Sequence, residues 1–324
     1  MLRKLLIGAL GVLVLIAIAP VAVIAFEAPT PPPPMASMAA RSRHADIPSV
    51  PLPRHFQTRD GASLQYYAYP AEPDKVAVLV HGSAGPGASM HILAESLRAA
   101  GVTTYVPDIR GHGGSGRRGD IDYIGQLDDD LADFVAQLGP AKSGESRTLA
   151  GFSAGAGFTI RFAGGPYGSS FDRYVFLSPI LPGAPTLRPS AGGWTNISVP
   201  RIVTIAWLDR LGIPWFDGLP VISYAVSPER LQSVTASYSY RLMMNFGAGR
   251  QYEGYLKNIH RPAAVLVGGA DEQVVADRFA PLMQQLGVNI PVIVVPNMKH
   301  RDMIDAPEAL RVVVGTIATA RAGD

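Results

Sequence analysis

Short apolar runs alternate with segments of helical periodicity along most of the chain. Uninterrupted apolar runs bounded by turn residues predict buried β-strands, and apolar positions three and four residues apart predict amphipathic helices. The predicted strands are Leu64–Tyr69, Val76–Val80, Val102–Val106, Thr148–Phe152, Tyr174–Leu177, Ala263–Val267 and Pro291–Val295. The predicted helices are Met90–Ala100, Ile124–Leu138, Ala154–Phe162, Asp277–Leu286 and Pro307–Ala320. This alternation predicts an α/β fold with a mostly parallel central sheet, helices on both faces, and an antiparallel edge beginning at Tyr66–Tyr69.

One long stretch interrupts the alternation. Residues 179–260 are rich in tryptophan, methionine and proline and show no clear succession of strands and helices. They lie between two predicted strands, so we expect them to form an inserted cap. In open α/β sheets the chemistry collects in the loops beyond the carboxyl ends of the strands.

The N-terminal region differs from the rest of the chain. Leu5–Phe26 is uncharged and mostly apolar, and as a helix it would extend about 33 Å, enough for a hydrocarbon core of roughly 30 Å. Arg3 and Lys4 precede it and Glu27 follows it, which predicts a cytoplasmic N-terminus and an extracytoplasmic domain. Residues 1–26 are therefore predicted to be a single-pass membrane anchor. A cleaved signal peptide, with small residues Val23 and Ala25 before the cut and a secreted product, is the alternative, although the run is long for one.

Residues 27–53 follow as a proline-rich segment of small and polar residues. This composition favours extended polyproline conformations, and we expect a linker between the anchor and a domain spanning residues 54–324. Such segments also serve as ligands of binding modules.

Composition excludes some classes of function. The formal net charge is +2 and no block of Lys or Arg occurs, so nucleic acid is not an expected partner. The chain has no cysteine, which excludes disulfides and thiolate nucleophiles without identifying the compartment.

A candidate nucleophile lies at Gly151-Phe152-Ser153-Ala154-Gly155, which matches the Gly-x-Ser-x-Gly pattern. A predicted strand leads into it and a predicted helix leads out, the context of a nucleophile elbow. The sharp turn would strain the serine backbone and leave no room for side chains two residues to either side. A closely packed loop without chemistry is the alternative.

An ordered set of motifs resembles a known family. The set is His81-Gly82-Ser83, Asp108-Ile109-Arg110-Gly111-His112-Gly113-Gly114-Ser115, the Ser153 motif, Gly269-Ala270-Asp271 and Met298-Lys299-His300. These residues resemble the α/β-hydrolase superfamily, and within it the monoacylglycerol lipase, lysophospholipase and serine aminopeptidase-like group, over roughly residues 55–320. The resemblance implies a serine hydrolase.

The partners of Ser153 follow from chain order and chemistry. A serine hydroxyl needs a base that takes its proton and a carboxylate that orients the base. Of the seven histidines only His300 follows both the serine and the candidate acid, the order expected for this fold. Asp271 is the candidate acid, with adjacent Glu272 as the fallback. Asp271 could instead cap a helix, since Asp is a favoured N-cap.

The oxyanion hole should include the backbone N–H of Ala154. By resemblance the second donor is Ser83, with His81-Gly82 shaping its loop and Asp108–Ser115 supporting the site.

No cofactor or metal is expected. Asp128-Asp129-Asp130 could suggest a metal site, but contiguous helical residues point in different directions, and we expect a solvated face. Gly111, Gly113 and Gly116 match Gly-x-Gly-x-x-Gly, yet no helix is predicted to open at the third glycine, so a dinucleotide site is disfavoured.

The sequence thus predicts a serine hydrolase that cleaves a lipid-like or small acyl ester through Ser153, His300 and Asp271. Amide or peptide substrates, and a catalytically silent binding module at the membrane, are the alternatives. The apolar side chains of the cap would line an acyl pocket or form the cap's own core. They are Trp194, Trp207, Leu208, Leu211, Trp215 and Phe216.

Overall fold

An eight-stranded sheet forms the centre of the molecule in the computed structural model, which describes residues 19–39, 49–71 and 74–319. Its strands are β1 (Arg54–Gln57), β2 (Ser63–Tyr69), β3 (Lys75–Val80), β4 (Thr103–Pro107), β5 (Ser146–Phe152), β6 (Arg173–Leu177), β10 (Ala263–Gly268) and β11 (Val292–Val295). They lie in the order β1-β2-β4-β3-β5-β6-β10-β11. The pairs β1-β2 and β2-β4 are antiparallel and every later pair is parallel, which confirms the mostly parallel sheet.

All seven predicted strands are present, with ends shifted by one or two residues. The edge strand β1 was not predicted, because Phe56 is its only buried residue and four residues carry little pattern. The antiparallel edge begins at β2 as expected, but β1 extends it by one further strand.

Helices cover both faces of the sheet. The helices of the described residues are α1 (residues 19–26), α2 (Ala36–Ala39), α3 (His91–Ala99), α4 (Gln126–Gln137), α5 (Ala154–Ala163), α6 (Ser190–Gly193), α7 (Val199–Arg210), α8 (Tyr240–Asn245), α9 (Tyr252–Lys257), α10 (Phe279–Leu286), α11 (Asp302–Asp305) and α12 (Pro307–Ala318). Helices α3, α11 and α12 pack on one face, with Leu79 and Leu177 of the sheet beneath them. Helices α4, α5 and α10 pack on the other, over Val78 and Phe176. Because alternate strand residues enter opposite cores, the central strands are apolar throughout.

The insertion between β6 and β10 contains a second sheet. Strands β7 (Thr195–Ile197), β8 (Pro220–Tyr224) and β9 (Ser237–Ser239) pair antiparallel in that order, accompanied by α6 to α9. The expected cap is therefore present as an inserted unit, but its sheet was not predicted, because two of its strands have only three residues each.

The chain before β1 packs against the cap where the structure describes it. Ile24 is buried beside Ile205 and Leu208 of α7, and its carbonyl accepts hydrogen bonds from the Arg201 guanidinium. Further along, the Thr30 carbonyl accepts a hydrogen bond from Asn196 Nδ2 at 2.8 Å. Residues 27–39 thus run along the cap and end in the short helix α2, where the composition predicted an extended polyproline segment.

Among the described residues, no helix is long and apolar enough to cross a membrane. Most of the predicted anchor Leu5–Phe26, its residues 5–18, lies outside the described residues.

Candidate active site

Ser153 occupies a strained turn between β5 and α5. Its φ and ψ are 57° and −121°, a left-handed conformation that side-chain-bearing residues rarely adopt. Backbone hydrogen bonds hold the turn: the Ser153 N–H donates to the Leu177 carbonyl at 2.9 Å, and the Ser153 carbonyl accepts from the Ile180 N–H at 3.2 Å. The turn therefore fixes the serine at the carboxyl end of a central strand.

The two glycines around Ser153 are required by space. A Cβ at Gly151 would lie 2.4 Å from the Gly155 carbonyl oxygen, and a Cβ at Gly155 would lie 2.2 Å from the His81 carbonyl oxygen. Both distances are far below contact, as the elbow interpretation requires.

Ser153, His300 and Asp271 form one hydrogen-bonded row. His300 Nε2 lies 2.9 Å from Ser153 Oγ, and His300 Nδ1 lies 2.8 Å from Asp271 Oδ2. The loops after β5, β10 and β11 supply the three side chains, so the parallel sheet brings them to the same edge. All three are buried, with at most 3% of each residue exposed.

The second oxygen of Asp271 is fixed as well. Asp271 Oδ1 accepts the Gln273 N–H at 2.8 Å and the Val274 N–H at 3.0 Å. Burial alone would raise the pKa of Asp271, but the charge of His300 and these hydrogen bonds outweigh it and lower the pKa below its ordinary value. Asp271 is thus held as a carboxylate facing the imidazole, and it does not serve only as a helix cap.

The fallback acid Glu272 has a different position. Its Oε2 accepts the backbone N–H of His300 at 3.0 Å and does not contact the ring. Glu272 holds the backbone of the histidine loop, while Asp271 meets the imidazole.

The expected oxyanion donors flank Ser153. Ala154 is the first residue of α5, so its N–H has no acceptor within the helix. The loop after β3 lies against the serine: a Cβ built at Gly82 would be 3.2 Å from Ser153 Cβ. Among the described residues, neither the Ser83 nor the Ala154 amide has a hydrogen-bond acceptor, and Ser83 Oγ accepts the Trp194 indole N–H at 2.9 Å.

A buried polar chain links this loop to the cap. The Ala84 N–H donates to Tyr238 Oη at 2.7 Å, and the Tyr238 hydroxyl donates to His112 Nε2 at 2.6 Å. His81 lies beside His112, where its Nδ1 donates to the Gly82 carbonyl and its Nε2 accepts the Ile109 N–H. Burial lowers the pKa of both histidines, and the nearby His81 lowers that of His112 further. Neither histidine contacts Ser153; they brace the loop that carries Ser83.

The segment Asp108–Ser115 also braces the site. Asp108 Oδ1 accepts the Gly87 N–H at 2.5 Å, and its Oδ2 accepts the Gly114 N–H at 2.9 Å. Gly113 has a φ of 51°, and a Cβ there would collide with the Asp108 carboxylate. No helix begins at Gly116, the third glycine of the dinucleotide-like pattern, since the next helix starts at Gln126.

The expectation of a solvated acidic face on α4 was wrong. Asp128 and Asp130 are buried and paired with Arg161 and Arg110, respectively. Asp129 instead faces Arg59, so the three carboxylates do point in different directions. Arginine partners compensate the charges that the helix buries. In the part of the chain that the structure describes, no group of residues is suited to hold a metal ion.

A small cavity of about 50 Å³ lies next to the row. Phe152, which precedes Ser153, lines it together with Ser83 and with Trp194 of the cap, whereas Ser153 itself does not. The apolar cap residues have mixed positions: Trp194 lines this cavity, Leu208 is in the cap's core, and Trp207, Leu211 and Trp215 are exposed.

Residues outside the recognised motifs also line the cavity. They include Pro34, Met35 and Met38 from the N-terminal segment, Arg230 from the cap, and Arg301 beside His300. The two methionines three residues apart, in a segment otherwise made of proline and small residues, were the available signal.

Comparisons with known proteins identify the fold and the family of the chain. Solved structures show the same fold. The monoacylglycerol lipase of Paleococcus ferrophilus superimposes with a TM-score of 0.61 at 22% identity, covering 79% of this chain and 98% of that one. A soluble variant of the Saccharomyces cerevisiae monoglyceride lipase, in complex with a substrate analog, gives 0.62 at 16% identity, covering 86% and 97%. The fold is therefore that of the α/β-hydrolases, as the resemblance implied.

The family is narrower than the fold. The family model described as serine aminopeptidase, S33 matches residues 71–306, and the chain belongs to this family. A monoacylglycerol lipase of Mycolicibacterium smegmatis is 32% identical over 113 residues, which are 34% of this chain and 39% of the relative. The match thus spans well under half of that relative.

Proposed function

We propose that this protein is a serine hydrolase that cleaves carboxylic esters with lipid-like or small acyl groups. The observation that carries the proposal is the buried row in which His300 lies 2.9 Å from Ser153 Oγ and 2.8 Å from Asp271. Family membership and the likeness to a monoacylglycerol lipase support an ester as the substrate.

In the proposed acylation step, Ser153 Oγ attacks the ester carbonyl while His300 Nε2 takes the hydroxyl proton. The Asp271 carboxylate stabilises the imidazolium that forms and holds the tautomer with Nδ1 protonated. The amides of Ala154 and Ser83 donate to the developing oxyanion. Their lack of acceptors among the described residues supports this role.

The tetrahedral intermediate then collapses with loss of the alcohol, which takes the proton from His300. Water attacks the acyl-enzyme in the same geometry, with His300 again as the base, and releases the carboxylic acid. No metal ion or organic cofactor has a part in this cycle.

Hydrolysis of p-nitrophenyl acetate and butyrate tests the proposal. We expect saturable turnover by the wild-type protein and near-background rates for Ser153→Ala, with Ser169→Ala, an exposed serine, as the matched control. Wild-type-like turnover by Ser153→Ala would overturn the proposal. Turnover of the matching anilides in preference to the esters would favour an amide substrate.

We also propose that residues 1–26 anchor the protein in a membrane, with the domain on the extracytoplasmic side. The apolar run Leu5–Phe26 after Arg3 and Lys4 supports this. The stripe of exposed Val199, Val203 and Trp207 on α7, the helix against which Ile24 packs, also supports it.

Alkaline carbonate extraction and N-terminal sequencing of the cell-derived protein test the anchor. We expect the protein in the pellet with residues 1–26 intact. A soluble product that begins at Phe26 would instead indicate a cleaved signal peptide and a secreted enzyme.

A further inference from the structure

The N-terminal segment reaches the active site. Residues 34–38, here called the strap, contact the cap and the loop that carries His300. The Met35 N–H donates to the Ala225 carbonyl of the cap at 3.3 Å. Arg230 of the cap and Arg301, next to His300, each donate to the Met38 carbonyl at 3.4 Å.

The methionine side chains face the acid loop and the cavity. Gln273, which follows the Asp271 loop, places its Nε2 3.3 Å from Met38 Sδ. Met35 and Met38 both line the cavity, as do Ser83 and Phe152. The strap is therefore a wall of the space next to the proposed nucleophile.

With this wall in place the cavity is small. Its volume is about 50 Å³, whereas sites that bury a drug-sized ligand measure about 300–1,000 Å³. The seated strap thus leaves little room for a long acyl chain in this cavity. Methionine side chains are flexible and readily fill irregular apolar gaps, so they suit the closure of an acyl site.

We propose that Met35 and Met38 determine acyl-chain specificity, because the seated strap restricts the site to short acyl esters. The proposal rests on the ester-hydrolase function proposed above. It assigns a role in substrate selection to a segment that lies outside the family match at residues 71–306.

The first arm of the test shortens the two methionine side chains that line the cavity. The double variant M35A/M38A and the wild-type protein are assayed with p-nitrophenyl esters from acetyl to dodecanoyl. Each methylene of the acyl chain that becomes buried contributes about 0.8 kcal/mol. Space for two more acyl methylenes should therefore raise the octanoyl-to-acetyl ratio of kcat/KM about tenfold. Met244→Ala is the matched control, because Met244 is exposed and lies outside the cavity.

The second arm introduces a larger side chain into the cavity. Met35→Trp should shift the preference further toward acetyl, lowering the same ratio severalfold, and it keeps the proposal testable if M35A/M38A does not fold. Thermal unfolding of each variant monitors the fold.

The outcomes separate the two proposals. Chain-length profiles of M35A/M38A and M35W that match those of the wild type and M244A would overturn the role of the strap while leaving the hydrolase function intact. Absence of fluorophosphonate labelling and of ester turnover in the wild-type protein would instead overturn the proposed function itself.

Discussion

The row of Ser153, His300 and Asp271 and the strap of residues 34–38 lie close together but are held very differently. The members of the row are at most 3% exposed, and hydrogen bonds of 2.8 and 2.9 Å join them. The strap is partly exposed, and hydrogen bonds of 3.3 and 3.4 Å to its backbone groups fix it to the domain. The two regions are therefore suited to different tasks. The buried row suits chemistry that needs fixed geometry, and the loosely held strap suits the selection of substrates.

The largest effect is expected within the row. Removing the nucleophile or base of a Ser-His-Asp set eliminates the acyl transfer that the set performs as a unit. Ser153→Ala and His300→Ala should each lower kcat by about 10⁴-fold or more, and the double variant should be little worse than either single one. Steady-state kinetics with a short ester measure this, and independent, multiplying effects of the two changes would contradict a concerted row.

The second-largest effect is expected at the hydrogen bonds that link the loop carrying Ser83 to the cap. Tyr238→Phe removes the hydroxyl that accepts from the Ala84 N–H, donates to His112 and also hydrogen-bonds Tyr224, so several buried polar groups lose this partner. Such groups cost about 1–3 kcal/mol each, so the free energy of unfolding should fall by about 3 kcal/mol.

Urea denaturation measures the effect of Tyr238→Phe. Tyr255→Phe is a suitable control, since the Tyr255 hydroxyl makes only an exposed contact of 3.5 Å with Gln251. Equal stability of the two variants would show that the buried chain does not hold the cap to the loop.

Low pH should lower the stability of the same region. Burial lowers the pKa of His112 well below its ordinary value. Between that lowered pKa and about 6.5 the unfolded chain binds a proton that the folded protein does not, so stability is full above about pH 6.5 and falls as the pH decreases. The slope is about 1.4 kcal/mol per pH unit for one histidine.

Unfolding of His112→Gln between pH 6.5 and 5 checks this expectation. The pH dependence of the free energy of unfolding should become weaker by about one histidine's contribution in this variant. His260→Gln, which changes an exposed histidine, is the control. An unchanged slope in His112→Gln would contradict the burial of a neutral imidazole.

The smallest effect is expected where the N-terminal segment meets the cap. Arg201→Ala removes donors to the Ile24 and Pro220 carbonyls and should cost about 1 kcal/mol. Limited proteolysis should cut residues 27–35 faster than in the wild type, with Arg210→Ala, an exposed arginine of the same helix, as the control. Equal cleavage rates would show that Arg201 does not hold this segment.

The parallel sheet and the row could be predicted because the relevant patterns are local. Val76–Val80 is apolar on both faces, and Gly151 is required by its contact with Gly155 within the same turn. Gly155 is required by the more distant His81 carbonyl, but the Gly-x-Ser-x-Gly pattern itself is local. Chain order then left only His300 as the base.

Features that depend on distant partners could not be predicted. Asp128 and Asp130 are buried as ion pairs with Arg161 and Arg110. The residue pattern of α4 alone assigns both aspartates to the solvent-exposed face. Met38 meets Gln273 across 235 positions of the chain, and no periodicity in a proline-rich segment indicates such a contact. The composition of such a segment correctly indicates that it cannot form a core of its own. It does not indicate that the segment can pack as part of another core.

The central claim is that His300 and Asp271 activate Ser153. Mass spectrometry of the protein after brief treatment with a fluorophosphonate tests it most directly. We expect one phosphonyl adduct on the peptide that contains Ser153, and strongly slowed labelling in Asp271→Asn. Absence of the adduct, or labelling of another serine at the same rate in Ser153→Ala, would contradict the account.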